Sequence, residues 1–330
     1  VTVKMIDRAG NSSEEKIEFS IDKTIPVIEV VYDNNEPDAD YNDIYKADRE
    51  ATITITERNF RAEDIVFAIT NTDKDIPAVD LTKADVWTTT VNDEDPDKTV
   101  HVAKIKYAAD GDYTFDIAYK DNAENAAEAF AQHKFTIDKT IPVITVVYDN
   151  NDAQNGNYYK ADRIATITIK EHNFDDARVK NLGVATDNNN PSTFPTISAW
   201  KDNGDDTHTA TITYNADSKY TFDIEFVDKA GNSIEDYTPV EFYVDKTAPT
   251  LEISGVADKS ANNGTVAPVV SYSDTNFNKD AVTITLTGIN NGKVDYTASY
   301  ENIANGQTYT YANFEKVQKV DDIYTLTAKL

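Results

Sequence analysis

The chain has 330 residues, a formal net charge of −27, 40% hydrophobic and 27% charged residues, and no cysteine. That composition belongs to a folded chain, and its length suggests two or three domains. The charge argues against nucleic acid and anionic membrane surfaces as partners, and the lack of cysteine excludes disulfides, thiolate metal sites and cysteine nucleophiles.

Residues 1–22 hold "IDRAGN" (6–11) and run into "FSIDKT" (19–24). Both phrases return, the first as "VDKAGN" (227–232), the second as "FTIDKT" (135–140) and "FYVDKT" (242–247). Residues 1–22 therefore read as the last two strands of an upstream unit, and the chain is expected to be an excerpt of something longer. The loop at 33–43, with Asp33, Glu36, Asp38, Asp40, Tyr41 and Asp43, reads as solvated, with contact to a basic partner as the alternative. In "YKADREATITITERNF" (45–60), Ala51, Ile53 and Ile55 alternate with Thr52, Thr54 and Thr56. Period two with one apolar face predicts a half-buried antiparallel strand, and threonine suits its wet face. One helical turn is expected after "ERNF". Phe60, Phe174 and Phe277 are expected to plug the end of each unit, with the preceding Asn capping the turn.

"HVAKIKYAADGDYTFDIAYKD" (101–121) predicts two further strands around an Asp-Gly turn. The spacing of Tyr113, repeated at Tyr220 and Tyr324, is that of a tyrosine corner opening strand F of an immunoglobulin-type sandwich. "DRAGN" and "DKAGN" then read as F–G hairpins with a left-handed Gly. "DNAEN" (121–125) puts Glu124 at that position, which predicts strain or another turn type.

The same landmarks recur as "YKADRIATITIKEHNF" (159–174) and "HTATITYNADSKYTFDIEFVD" (208–228), then more loosely as "APVVSYSDTNF" (267–277) and "DDIYTLTAKL" (321–330). Asp22, Asp138 and Asp245 lie 116 and 107 residues apart, the size of one β-sandwich. The expected division is 1–22, 23–138, 139–245 and 246–330, with Leu330 aligned to Phe226 and the last unit stopping before its hairpin. The fold class is all-β, tandem immunoglobulin-like β-sandwich domains in an elongated rod. No apolar run, "VITVVY" (143–148) included, is long enough to span a bilayer, so no membrane insertion is expected.

"DxAGN", the strand after it, and "(I/V)DKTxP" leading into the next strand resemble a bacterial immunoglobulin-like (Big-type) tandem repeat region, as found in surface proteins of Gram-positive gut bacteria. The resemblance covers essentially the whole chain. It implies an extracellular location, at the cell surface or secreted, and a non-catalytic stalk or adhesin role with a host protein or glycoprotein as partner. Some such proteins bind host immunoglobulins, and others are accessory regions of larger enzymes acting on polysaccharide. Between strands only three residues and Pro26, Pro142 or Pro249 intervene, and proline fixes φ, so stiff joints and a monomeric rod are expected.

Strand alternation places the A–B and E–F loops of one unit against the B–C and F–G loops of the next. Around the first full joint this gathers Asp33, Asp110, Asp138, Glu171, Asn173 and Asp228. Around the next it gathers Asp149, Asp217, Asp245, Asp274 and Asn276. Carboxylates with an Asn amide are hard oxygen donors suited to Ca²⁺, although no EF-hand spacing is present, and turn-forming Asp and Asn are the plainer reading. His101 and His208 align and read as strand-edge residues, while His133 and His172 have no such counterpart; without HxH or HExxH, zinc is not expected. Trp87 and Trp200 are expected in the core. No catalytic or cofactor motif is present. Residues 71–97 and 187–206 differ strongly between otherwise similar units, which makes them candidate recognition loops.

Overall fold

The computed structural model describes residues 1–37, 41–180, 184–186, 195, 197–290, 293–299, 303–310 and 323–330. Among these the fold is all-β, interrupted only by one-turn 3-10 helices, three of which (Ala62–Asp64, Asp176–Arg178 and Lys279–Ala281) follow "ERNF", "EHNF" and "DTNF" as expected.

A hairpin comes first, β1 (Thr2–Ile6) with β2 (Ser12–Lys16), turning through Gly10 at φ 88°. Two four-stranded sheets follow. One runs β3 (Val27–Tyr32), β5 (Arg49–Thr56), β8 (Val100–Tyr107), β7 (Thr88–Thr90). The other runs β4 (Ile44–Tyr45), β10 (His133–Ile137), β9 (Gly111–Tyr119), β6 (Ile65–Asn71). The pairs are antiparallel except β4 with β10. Their inner faces share one core, in which Ala51, Ile53, Ile55 and Ile105 of the first sheet meet Phe115, Ile117, Phe135 and Ile137 of the second. The predicted parity of β5 holds: Ala51, Ile53 and Ile55 are fully buried and the threonines are not.

The arrangement repeats. β11 (Val143–Tyr148), β13 (Arg163–Lys170), β16 (Thr207–Tyr214) and β15 (Lys201–Asp202) face β12 (Tyr158–Tyr159), β18 (Val240–Val244), β17 (Ser218–Phe222) and β14 (Val184–Thr186) across a second core. A third core lies between β19 (Thr250–Ser254), β20 (Val269–Ser273), β23 (Thr308–Thr310) and β22 (Lys293–Ser299), β21 (Thr283–Asn290), β24 (Ile323–Lys329).

Particular side chains explain the recurring phrases. In "YKADR", Arg49 is buried with its guanidinium 4.0 Å from the Tyr32 ring and 3.9 Å from that of Tyr45, and its Nε donates to Asn34 O at 2.8 Å. Arg163 repeats this between Tyr148 and Tyr159, at 3.7 and 4.1 Å. Aromatic faces and carbonyls thus stand in for a buried counter-ion. Tyr113 Oη donates to Ala109 O at 2.9 Å and Tyr220 Oη to Ala216 O at 2.8 Å. The corresponding position for Tyr324, residue 320, lies outside the described residues.

Two expectations need correction. His101 and His208 are not strand-edge residues. His101 sits in the central strand β8, buried, stacked 4.1 Å from Phe60, with Nε2 2.9 Å from Glu57 O. His208 makes the same contacts with Phe174 (4.1 Å) and Glu171 O (3.1 Å). With Trp87 and Trp200, 5.0 and 5.1 Å from those phenyl rings, they close the end of each core. The loop around Tyr41 is also more than solvated, as the joint shows.

Candidate functional site

The chain's chemistry gathers where β10 leads into β11. Asp138 ends β10 and turns the linker, its Oδ1 accepting from Thr140 N at 3.1 Å. Its Oδ2 accepts from Asn173 Nδ2 at 2.7 Å, and its carbonyl accepts from Asn232 Nδ2 at 3.0 Å. Asn232 also holds Asp228, whose Oδ1 and Oδ2 accept from its N and Nδ2 at 2.8 and 2.9 Å. "DKT" and "DKAGN" recur together because one phrase binds the other across the joint.

Asp138, Glu171 and Asp228 bring carboxylate oxygens within 4.8 Å of one another, and all three residues are buried. Arg178 Nη1 donates to the backbone carbonyl of Asp228. Burial, with Asp138 and Asp228 alongside, pushes the Glu171 carboxyl up to about 8, and burial also raises Asp228 despite the Asn232 bonds. Three desolvated carboxylates in contact need a proton or a cation between them. The donor set is all oxygen, as a hard divalent ion such as Ca²⁺ requires. Asp138, Glu171 and Asp228 are the residues that could hold it.

The expected ligands divide into two groups. Asp110 lies beside the same cavity, of about 330 Å³, but its Oδ2 accepts from Lys139 N (3.0 Å) and Thr140 Oγ1 (2.8 Å) and so pins the linker. Asp33 stays within its own sheet, accepting from Glu50 N at 2.7 Å. Asp217 and Asp149 repeat these two roles with Thr247 Oγ1 (2.5 Å) and Ile164 N (2.7 Å). These four are structural because a neighbouring N–H or O–H reaches each carboxylate before another carboxylate can. Asn173 does not cap its turn, as the sequence suggested; Glu171 Oε1 does so by accepting from Asn173 N (2.7 Å), which frees the Asn amide to cross the joint. At the next joint Asn276 Nδ2 reaches Asp245 Oδ2 at 2.9 Å, with Asp274 Oδ1 accepting from Asn276 N at 2.7 Å.

A second complete cluster escaped the sequence reading. Asp22, Glu57 and Asp121 also bring oxygens within 4.8 Å, with Asn59 Nδ2 donating to Asp22 Oδ2 at 2.5 Å and Asn125 Nδ2 to Asp22 O at 3.3 Å. The signal was present in the alignment of "ERNF" with "EHNF" and "DNAEN" with "DKAGN".

Two further groups bridge the joint between Asp138 and β11. Tyr41 Oη donates to Asp175, and its ring lies 5.4 Å from the Arg178 guanidinium and 5.7 Å from Lys229 Nζ. His172 places Nδ1 2.9 Å from Asp206 and Nε2 3.6 Å from Asp112.

No protein-family model matches the chain, and no curated protein does. Among solved structures, dimeric latent PorU from Porphyromonas gingivalis is similar over 92% of this chain and 33% of that one, at 10% identity and a TM-score of 0.22. This chain thus spans about a third of that chain's length, and a likeness of this size carries no argument about function.

Proposed function

We propose that the chain is a non-catalytic stalk and adhesin segment of a bacterial cell-surface protein, made of tandem immunoglobulin-like sandwiches whose joints are stiffened by Ca²⁺. The observation that carries this reading is the joint: three buried carboxylates, each from a different segment, converge where only three residues and a proline link neighbouring sheets. A cation there neutralises part of the −27 charge and fixes the angle between neighbours. The strand order β11-β13-β16-β15 against β12-β18-β17-β14, with the tyrosine-to-carbonyl bond opening β17, supports immunoglobulin-like units bounded near 138 and 245. Small-angle scattering with Ca²⁺ and with chelator tests it. One extended shape in Ca²⁺ that loosens on chelation is expected; identical freely flexing profiles in both conditions would sink the reading.

A second reading, a specific binder of a host protein such as an immunoglobulin, is favoured by the divergence of 71–97 from 187–206 on one shared frame. In the former, Leu81 and Trp87 anchor the excursion to the core, Trp87 Nε1 donating to Leu81 O at 2.8 Å. Exchanging the two segments and repeating a pull-down from mucosal secretions separates the readings. Binding that follows the segment supports recognition; none leaves a spacer.

A further inference from the structure

Strands β3, β11 and β19 hold the same place in the three units. Among the described residues each is the outermost strand of its sheet and pairs on one side only, with β5, β13 and β20. After the linker proline they read "VIEVVY" (27–32), "VITVVY" (143–148) and "TLEIS" (250–254). An open edge presents unpaired N–H and C=O groups, and a charge at its centre keeps a further strand from adding to it. Glu29 and Glu252 supply that charge, and both are exposed; the same position in β11 is Thr145. β11 carries no charge, consists of Val, Ile, Thr and Tyr, and holds neither Pro nor Gly, which is the composition of a strand that pairs with its own kind.

The backbone shows which groups of β11 are open. Asp149 N donates to Ile164 O at 3.1 Å, and Val147 lies opposite Thr166. In an antiparallel ladder this turns the N–H and C=O of the odd-numbered residues toward β13 and those of the even-numbered ones outward. The outward N–H and C=O of Ile144 and Val146 have no partner among the described residues, and both side chains are only half-buried at the margin of the second core. At Tyr148 the outward carbonyl is taken, accepting from Asn151 Nδ2 at 2.9 Å.

We propose that β11 pairs antiparallel with β11 of a second copy of this chain, about a two-fold axis at Thr145, joining two four-stranded sheets into one. In that register Ile144 lies opposite Val146 on either side of the axis, and their open N–H and C=O groups satisfy one another. Tyr148 lies opposite Pro142, whose carbonyl accepts the Tyr148 N–H. Proline has no N–H to return, and the Tyr148 carbonyl, already held by Asn151, needs none. A register centred on Val146 instead brings the Ile144 N–H onto that occupied carbonyl. On the outer surface Thr145 meets Thr145, and Val143 meets Val147, 57% and 59% exposed in the single chain; threonine and β-branched cross-strand pairs of this kind are stabilising. The occupant is a second copy because the strand is complementary to itself in charge as well as in hydrogen bonding. Two chains of −27 meet here without opposing carboxylates, whereas the same register would set Glu29 on Glu29 in β3 and Glu252 on Glu252 in β19. One patch serves both copies, so association closes at the dimer.

Sedimentation velocity of the 330-residue chain at rising concentration, in high salt to screen repulsion between the copies, tests the proposal. A monomer–dimer equilibrium that goes no further is expected. Thr145→Glu gives β11 the residue that both other edges carry, so it should leave the melting temperature of the dilute monomer unchanged. It should raise the dimer dissociation constant at least about tenfold, because like charges set against each other across an interface are strongly unfavourable. Thr145→Cys, in a chain without native cysteine, should oxidise to a disulfide-linked dimer, since directly opposed residues of a non-hydrogen-bonded pair lie about 4.5 Å apart between Cα atoms. Thr213→Cys, exposed on β16, should not. A chain that stays monomeric at every concentration, a series that grows beyond the dimer, a dimer undiminished by Thr145→Glu, or equal cross-linking through position 213 overturns the proposal.

Discussion

Glu124 stands at φ 65° in the turn where Gly10 and Gly231 both stand at 88°. The turn is the same one, since Asp121 Oδ1 accepts from Ala123 N and Asn125 N at 2.8 Å each, as its counterparts do. The sequence offered strain or a different turn, and strain is what the structure holds. Glu124→Gly is expected to stabilise the chain by about 1 kcal/mol by removing the Cβ clash of the left-handed region, read as a higher midpoint in thermal or denaturant unfolding. Glu171 supplies a pH test. Its folded pKa, pushed by burial from the ordinary glutamate value of 4.5 up to about 8, means that the folded state holds a proton the unfolded state releases. Its stabilising contribution is fully present below about 4.5 and lost as pH rises through about 8. In chelator, the melting temperature should fall across that window; Ca²⁺ should restore it at the alkaline end, and Glu171→Gln should flatten the slope and abolish the Ca²⁺ response.

At the scale of elements, the linker is held by its neighbours rather than by proline alone. Lys139 donates from N to Asp110 and from Nζ to Asp48 Oδ1 at 2.9 Å, and Lys246 repeats this with Asp217 and with Asp162 at 2.7 Å. Asp110→Ala leaves Lys139 N and Thr140 Oγ1 without their acceptor. It is expected to cost roughly 1–3 kcal/mol locally, seen as faster hydrogen exchange at the Lys139 amide, while the Thr140 amide, held by Asp138 Oδ1, and those of β13 stay protected. The strands themselves were legible because a half-buried strand has period two and because threonine and isoleucine take opposite sides of it. The role of Asn173 was not legible: an Asn after a strand caps a turn or bridges a joint with equal chemistry, and only the position of Asp138 decides between them.

At the scale of the molecule, Tyr41 makes the joint between Asp138 and β11 unlike the one that follows Asp245. It touches Asp175, Arg178 and Lys229 across the joint, and the aligned loop at 149–157 makes no such contact among the described residues. Tyr41→Ala is expected to broaden the distance distribution between spin labels placed on β5 and β13, and to leave that between β13 and β20 unchanged. Engineered cysteines carry the labels cleanly, since the chain has none.

The repeat, the strand parity, the phrases that mark each joint and the exclusion of cysteine chemistry were determined by the sequence alone. Each is a matter of spacing or composition, and spacing along a strand decides which side chains face inward. Only the tertiary structure decided which carboxylates meet. Asp110 and Asp138 look alike in sequence, yet one finds an amide and a hydroxyl within reach while the other finds Glu171 and Asp228. That difference rests on ångström distances between segments far apart in the chain, which no local pattern encodes.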